Sequence, residues 1–268
     1  MTSLKIRLFA WFLFSTIGLN AQSMWIITPY LGTLNNHLKM DENPLEDSAL
    51  MTGLYLQSIH PDQYQWNAFV YSSRDINESN LLGTHLIYDK YLNPKKSGKW
   101  AAGIGFDWIQ IKTEADDLGM LQNFTMTNNI YAPYLRAGRY LNFGSSNLKH
   151  SVFLWGGYEQ DILRGNLSFD LPAFAPGMPP QSVKESLDDS YSFALAGITF
   201  SGTLYHFIQI KLKYHVKIDL NHDEMHDQIS GLLNIFASRK IGVSYRYKYM
   251  EEVIGKNTYH IGGIAVIL

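Results

Sequence analysis

The sequence predicts an all-β protein, a single transmembrane antiparallel up-and-down barrel of about 12 strands. Three observations predict it. From Leu204 to Asp219 the even positions are mostly apolar, with Ile208, Ile210, Leu212, Tyr214, Val216 and Ile218 on one face. The odd positions carry Gln209, Lys211, Lys213, His215 and Lys217. A period of two sustained over that length means one long strand with an oily side and a wet side. Second, similar segments recur along the chain, each near the ~9–11 residues that a tilted membrane strand requires. Third, the connections between them alternate short and long, as a barrel with tight turns at one rim and loops at the other demands.

Composition agrees. The chain has 268 residues, a net charge of −2, and 17 Tyr, 14 Phe and 6 Trp. A mean hydropathy of −0.13 is too low for a bundle of membrane helices, and the near-neutral charge offers no polycationic surface for nucleic acid. Cysteine is absent, which removes disulfides, thiolate metal sites and a lipidated cysteine.

Residues 1–21 read as a signal peptide: Lys5 and Arg7 precede an apolar core from Leu8 to Leu19, and Ala21 ends it. Twelve or so apolar residues are short for spanning ~30 Å, so cleavage after Ala21 and export of 22–268 as the barrel are expected.

The predicted strands are 24–33, 48–59, 63–73, 80–92, 99–112, 127–142, 148–163, 190–201, 203–219, 228–238, 240–251 and 257–268. Short turns rich in Pro, Gly, Asn and Ser fall at His60 to Asp62, Asn93 to Gly98, Gly144 to Asn147, Ser201 to Thr203 and Ser238 to Lys240. Longer connections are expected at 34–47, 74–79, 113–126, 164–189, 220–227 and 252–256. Pro133 interrupts a predicted strand, where a bulge would absorb its missing donor.

With this alternation and with Gly263-Ile264-Ala265-Val266-Ile267-Leu268 at its end, the chain after residue 21 resembles bacterial outer-membrane β-barrels as a class. The C-terminal signal of that class usually ends in an aromatic residue; Leu268 takes its place here. The resemblance implies a Gram-negative outer membrane, contact with its lipid, and both termini on the periplasmic side. A soluble sandwich or lipocalin-like barrel shares the periodicity but would reverse the faces.

With the apolar faces outward, strand parity lines the lumen. Basic residues there are Arg136, Lys211, Lys213, His215, Lys217, Arg246 and Lys248. Acidic ones are Asp89, Asp107, Glu159 and Asp161, and His85 joins them. One wall would be acidic and the other basic, with Asp107, Arg136, Lys211 and Arg246 near mid-height. Such charges either orient a permeating solute or pair across the lumen and close it.

Two loops stand out. His222 and His226 have a metal-ligand spacing and lie beside Asp223 and Asp227, but Asp223 stands where a metalloprotease needs Glu. They are weak candidates for a metal, and no cofactor is expected. Leu171 to Ser186 holds four prolines and reads as a stiff loop that either folds inward or stays on the surface. His150-Ser151 lacks an orienting acid nearby, so no catalytic set is expected. The expected function is porin-like transport of small polar solutes, anions among them. The alternative is a non-conducting barrel whose extracellular loops display or bind a protein partner.

Overall fold

A computed structural model of the chain describes residues 24–38, 45–60, 63–76, 79–92, 98–118, 121–144, 148–172, 181–205, 207–222, 224–252 and 255–268. The predicted signal peptide lies outside them, as do His206, Asp223 and residues 173–180 of the proline-rich loop.

Twelve strands form one closed antiparallel sheet. They are β1 (Met24–Leu38), β2 (Leu45–His60), β3 (Tyr64–Ile76), β4 (Ser79–Tyr91), β5 (Gly98–Leu118), β6 (Leu121–Gly144), β7 (Leu148–Leu171), β8 (Gln181–Leu204), β9 (Ile208–Asp219), β10 (Met225–Phe236), β11 (Ile241–Glu252) and β12 (Gly255–Ile267). Each pairs with its neighbours in sequence, and β1 pairs with β12 to close the ring, Ile26 facing Ile267.

The faces follow the alternation. Ile104 and Val243 are each 60% exposed and Leu212 54%, while alternate neighbours turn inward. A soluble barrel would bury these side chains. Outward aromatics gather beside the turns at the end that holds both described termini, where Trp25 packs edge-on against Trp66 at 5.2 Å and Tyr64 stacks near Tyr88 at 5.9 Å. Trp100, Phe143, Tyr205 and Phe207 extend this girdle, as interfacial rings do in membrane barrels.

Three expectations are corrected. The turn predicted at Ser201 to Thr203 is strand, and the stretch from Leu204 is not one strand. β8 runs on to Leu204, which pairs with Ile208 across a turn closed by the Phe207 amide donating to the Leu204 carbonyl at 3.1 Å. Tyr205 takes the left-handed conformation there, φ 48°. Gly202 is small to admit the His150 ring, since a Cβ would meet its Nδ1 at 3.0 Å.

Pro133 carries no bulge. β6 keeps its register with β7 on either side of it, Tyr131 facing Ile162 and Tyr134 facing Glu159, with the pairing lapsing at the two residues between; the register shift in this ladder falls instead between Gln122 and Thr125. The missing donor costs a rung of the ladder without shifting it.

The connections at the rim opposite the termini begin later than predicted because the strands run on into them. β6, β7 and β8 have 24 residues each. Thus residues 113–118, 121–126, 164–171 and 181–189 belong to strands of the sheet, including Gln181 to Ser186 of the proline-rich segment.

Two inward clusters of apolar side chains narrow the barrel. One joins Tyr30, Met51, Tyr55, Phe69, Tyr259 and Ile261. The other joins Ile87, Tyr134, Phe153, Trp155, Phe193 and Leu195. Between and beside them stand the charged residues.

Candidate functional site

The lumen holds a cavity of about 640 Å³. Its lining runs from Lys99, Thr203 and Gln209, beside the periplasmic turns, to Asp161, His226 and Glu251 near the other rim. Asp107, Arg136, Glu159, Asp161, Lys211, Lys213, His215, Lys217, Arg246 and Lys248 all line it. Asp89 lies behind Arg136 and is fully buried.

The acidic groups are taken up by neighbours. Asp89, Gly103 and Arg136 form one lateral row across β4, β5 and β6. Arg136 Nε donates to Asp89 Oδ1 at 2.8 Å and its Nη2 to Oδ2 at 2.5 Å, a bidentate pair. Gln65 Nε2 donates to the same carboxylate at 2.9 Å. The row closes because its middle residue is glycine: a Cβ on Gly103 would stand 2.1 Å from Asp89 Oδ1. Asp107 pairs with His85 across the β4–β5 ladder, Nδ1 to Oδ1 at 2.5 Å. Glu159 pairs with Lys217, which also reaches Asp161 at 3.6 Å. Of the two outcomes expected for the inward charges, local pairing is the one seen for the acids: Asp89 with Arg136, Asp107 with His85, and Glu159 and Asp161 sharing Lys217.

The basic side is arranged differently. Leu232 of β10 faces Lys211 on one side and Arg246 on the other. Two residues up, Ser230 faces Lys213 and Lys248. Four cations thus mark a patch roughly 10 Å across two strands and about 7 Å along each. Rings brace it. The Arg246 guanidinium lies over Tyr55 at 4.1 Å and Phe69 at 4.8 Å, and Lys213 lies over Trp155 at 5.0 Å. Cation–π contact tolerates a desolvated charge without cancelling it. Among the described residues no carboxylate forms an ion pair with Lys211, Lys213 or Arg246.

His215 is buried against Trp155, ring centroids 5.5 Å apart. The sequence reading missed the aromatic braces and Gly103. Parity already placed Tyr55, Phe69 and Trp155 inward; register, which decides what touches them, was the absent signal.

No protein-family model matches the chain, and no curated protein matches it. Solved structures do. The translocator domain of autotransporter NalP from Neisseria meningitidis aligns over 99% of this chain and 95% of its own, at 14% identity and a TM-score of 0.62. The transport unit of the autotransporter AIDA-I from Escherichia coli aligns over 93% and 91%, at 10% identity and a TM-score of 0.51. The fold is that of a bacterial outer-membrane β-barrel.

In this outer-membrane barrel the histidine-rich loop is a turn. Asp219 accepts from the Asn221 amide at 2.7 Å and from the His222 amide at 3.3 Å, and its Oδ2 meets His222 Nδ1 at 3.0 Å. That bond raises the pKa of the exposed His222 above its ordinary value. His226 is buried beside Phe193, whereas Asp227 points outward to accept from the Tyr214 hydroxyl at 2.8 Å. The metal candidates therefore diverge, Asp223 lying outside the described residues, and no metal-binding cluster occurs among those described. At the periplasmic end His150 packs between Phe143 and Phe200, at 5.5 and 5.6 Å.

Proposed function

We propose that the barrel is a porin-like channel for small anionic solutes. The observation that carries this is the group of Lys211, Lys213 and Arg246, which form no ion pair with a carboxylate among the described residues, beside Lys248 on the same cavity. Fixed cations in a narrow lumen lower the barrier for anions and raise it for cations. The strand number lies between the filled interiors of ~8 strands and the open channels of ~16–18. Residues next to both rims line one cavity, as a passage requires.

Reversal potentials across a salt gradient in a planar bilayer test the reading. Mild anion selectivity is expected, weakening as the Debye length falls from ~10 Å at ~0.1 M salt to ~3 Å at ~1 M. Lys211→Glu combined with Arg246→Glu should reduce or reverse it. Absence of a channel, or selectivity unchanged in the double variant, defeats the proposal.

One observation favours a second reading, a barrel that binds a protein partner at the cell surface. β8 pairs with β9 only from Phe193 inward, and the Leu220 amide still donates to the Ser192 carbonyl at 2.8 Å, so residues 181–191 form a sheet edge that projects beyond β9. Such an edge accepts an added strand. A barrel that conducts nothing yet protects these amides from exchange on adding a partner would support it.

A further inference from the structure

The patch is built for more than charge. We propose that Lys211 and Arg246 hold the carboxylate of an aromatic acid, whose ring rests against the aromatic side chains beside them. This rests on the anion-channel reading and names the class of solute.

Three features carry it. The first is the row itself. Lys211 and Arg246 flank Leu232 in lateral register, so two cations face one lumenal position with an apolar floor between them. Two adjacent strand spacings set them roughly 10 Å apart at the backbone, and both side chains are long enough to converge on one anion. The second is how Arg246 is held. Its guanidinium lies over the Tyr55 and Phe69 rings and hydrogen-bonds the Tyr55 side chain, which leaves others of its five N–H groups for a carboxylate. Among the described residues no acid of this chain forms an ion pair with Arg246, whereas the buried Arg136 has Asp89.

The third feature is the kind of apolar surface around the cations. It is rich in rings: Tyr55, Phe69, Tyr134, Phe153, Trp155 and Tyr259 line the cavity. Rings prefer rings in offset or edge-on contact beyond the area that they bury. A flat anion gains that term and a puckered one of equal size does not. A one-ring acid fits easily within the 640 Å³ cavity, which lies within the usual range of small-molecule sites, ~300–1,000 Å³.

Benzoate, cyclohexanecarboxylate and benzamide separate the contributions, being similar in size and differing in ring or charge. In planar bilayers carrying the chloride current, benzoate should block at about tenfold lower concentration than cyclohexanecarboxylate, the equivalent of about 1.4 kcal/mol. Benzamide should not block. Equal potency of the two acids would overturn the proposal. Lys211→Gln and Arg246→Gln should each weaken the benzoate block, while Phe69→Leu should erase the preference for benzoate and keep the need for charge. Heat-modifiable migration in detergent gels confirms that each variant is folded. Calorimetric titration of benzoate into the detergent-solubilised barrel separates the two readings. Saturable, ring-selective binding by a barrel that does not conduct keeps the site and removes the channel. Anion conductance without ring-selective binding does the reverse.

Discussion

Two rows of three residues cross the lumenal wall, each with ionic ends and one spacer. Asp89, Gly103 and Arg136 make one; Lys211, Leu232 and Arg246 make the other. In the first row opposite charges meet over a glycine and cancel. In the second, like charges stand on either side of a leucine and remain charged. The backbone pattern is the same, so the side chain in the middle and the sign at the ends decide the outcome. A quenched row holds the wall together, and an unquenched row gives the lumen its field.

The sharpest way to break this contrast is to remove one partner from each row. Asp89→Asn strands Arg136 in a buried position and should cost about 3–5 kcal/mol. Lys211→Met removes a charge with no partner and should leave stability unchanged or slightly raised. Urea unfolding of vesicle-reconstituted barrels compares them, and equal losses would erase the distinction between the rows.

A smaller effect tests the spacer. Gly103→Ala drives a Cβ into the Asp89 carboxylate and toward the Tyr88 carbonyl, at 2.7 Å. The expected cost is about 1–3 kcal/mol, as for overpacking, with the bidentate pair splayed. A variant as stable as the parent would mean that the spacer has no part in closing the row.

The smallest effect contrasts a buried ion pair with an exposed one. The Asp219 hydrogen bond raises the His222 pKa. Since the folded value is the higher, the stabilisation is fully present below the ordinary histidine pKa and disappears as pH rises through the raised value. An NMR titration of His222 should show the upward shift, and Asp219→Asn should abolish it, without altering the unfolding midpoint set by the Asp89 row. A His222 titration unmoved by Asp219→Asn would assign the shift elsewhere.

Strand number, face assignment and the inward charges were legible because one requirement, an apolar exterior inside the bilayer, writes itself as a period of two. That requirement lapses above the bilayer. There β5 to β8 continue by backbone hydrogen bonding alone, and Glu114, Ala115 and Asp188 read as loop although they are paired sheet. Partner choice was hidden for another reason. Parity says that Asp89, Asp107 and Arg136 all face inward, but only lateral register says which acid Arg136 meets. The Leu204 to Phe207 turn escaped notice because Ser-Gly-Thr just before it carries a stronger turn signal, while the glycine there serves the His150 ring.

The pairing of β1 with β12 has a consequence for how the molecule comes into being. Every other rung in the barrel joins neighbours in sequence, which zip with little loss of chain entropy; this seam joins opposite ends of the chain. It cannot form until β1 and β12 have both entered the sheet, and Leu268 takes part, its amide donating to the Trp25 carbonyl at 3.0 Å. Until then the growing sheet is an open ribbon with two unsatisfied margins, the kind of template that invites wrong partners. Closure is therefore one high-contact-order event, late and slow beside the hairpins that precede it, and the chain's final strand acts as the latch that turns a ribbon into a ring.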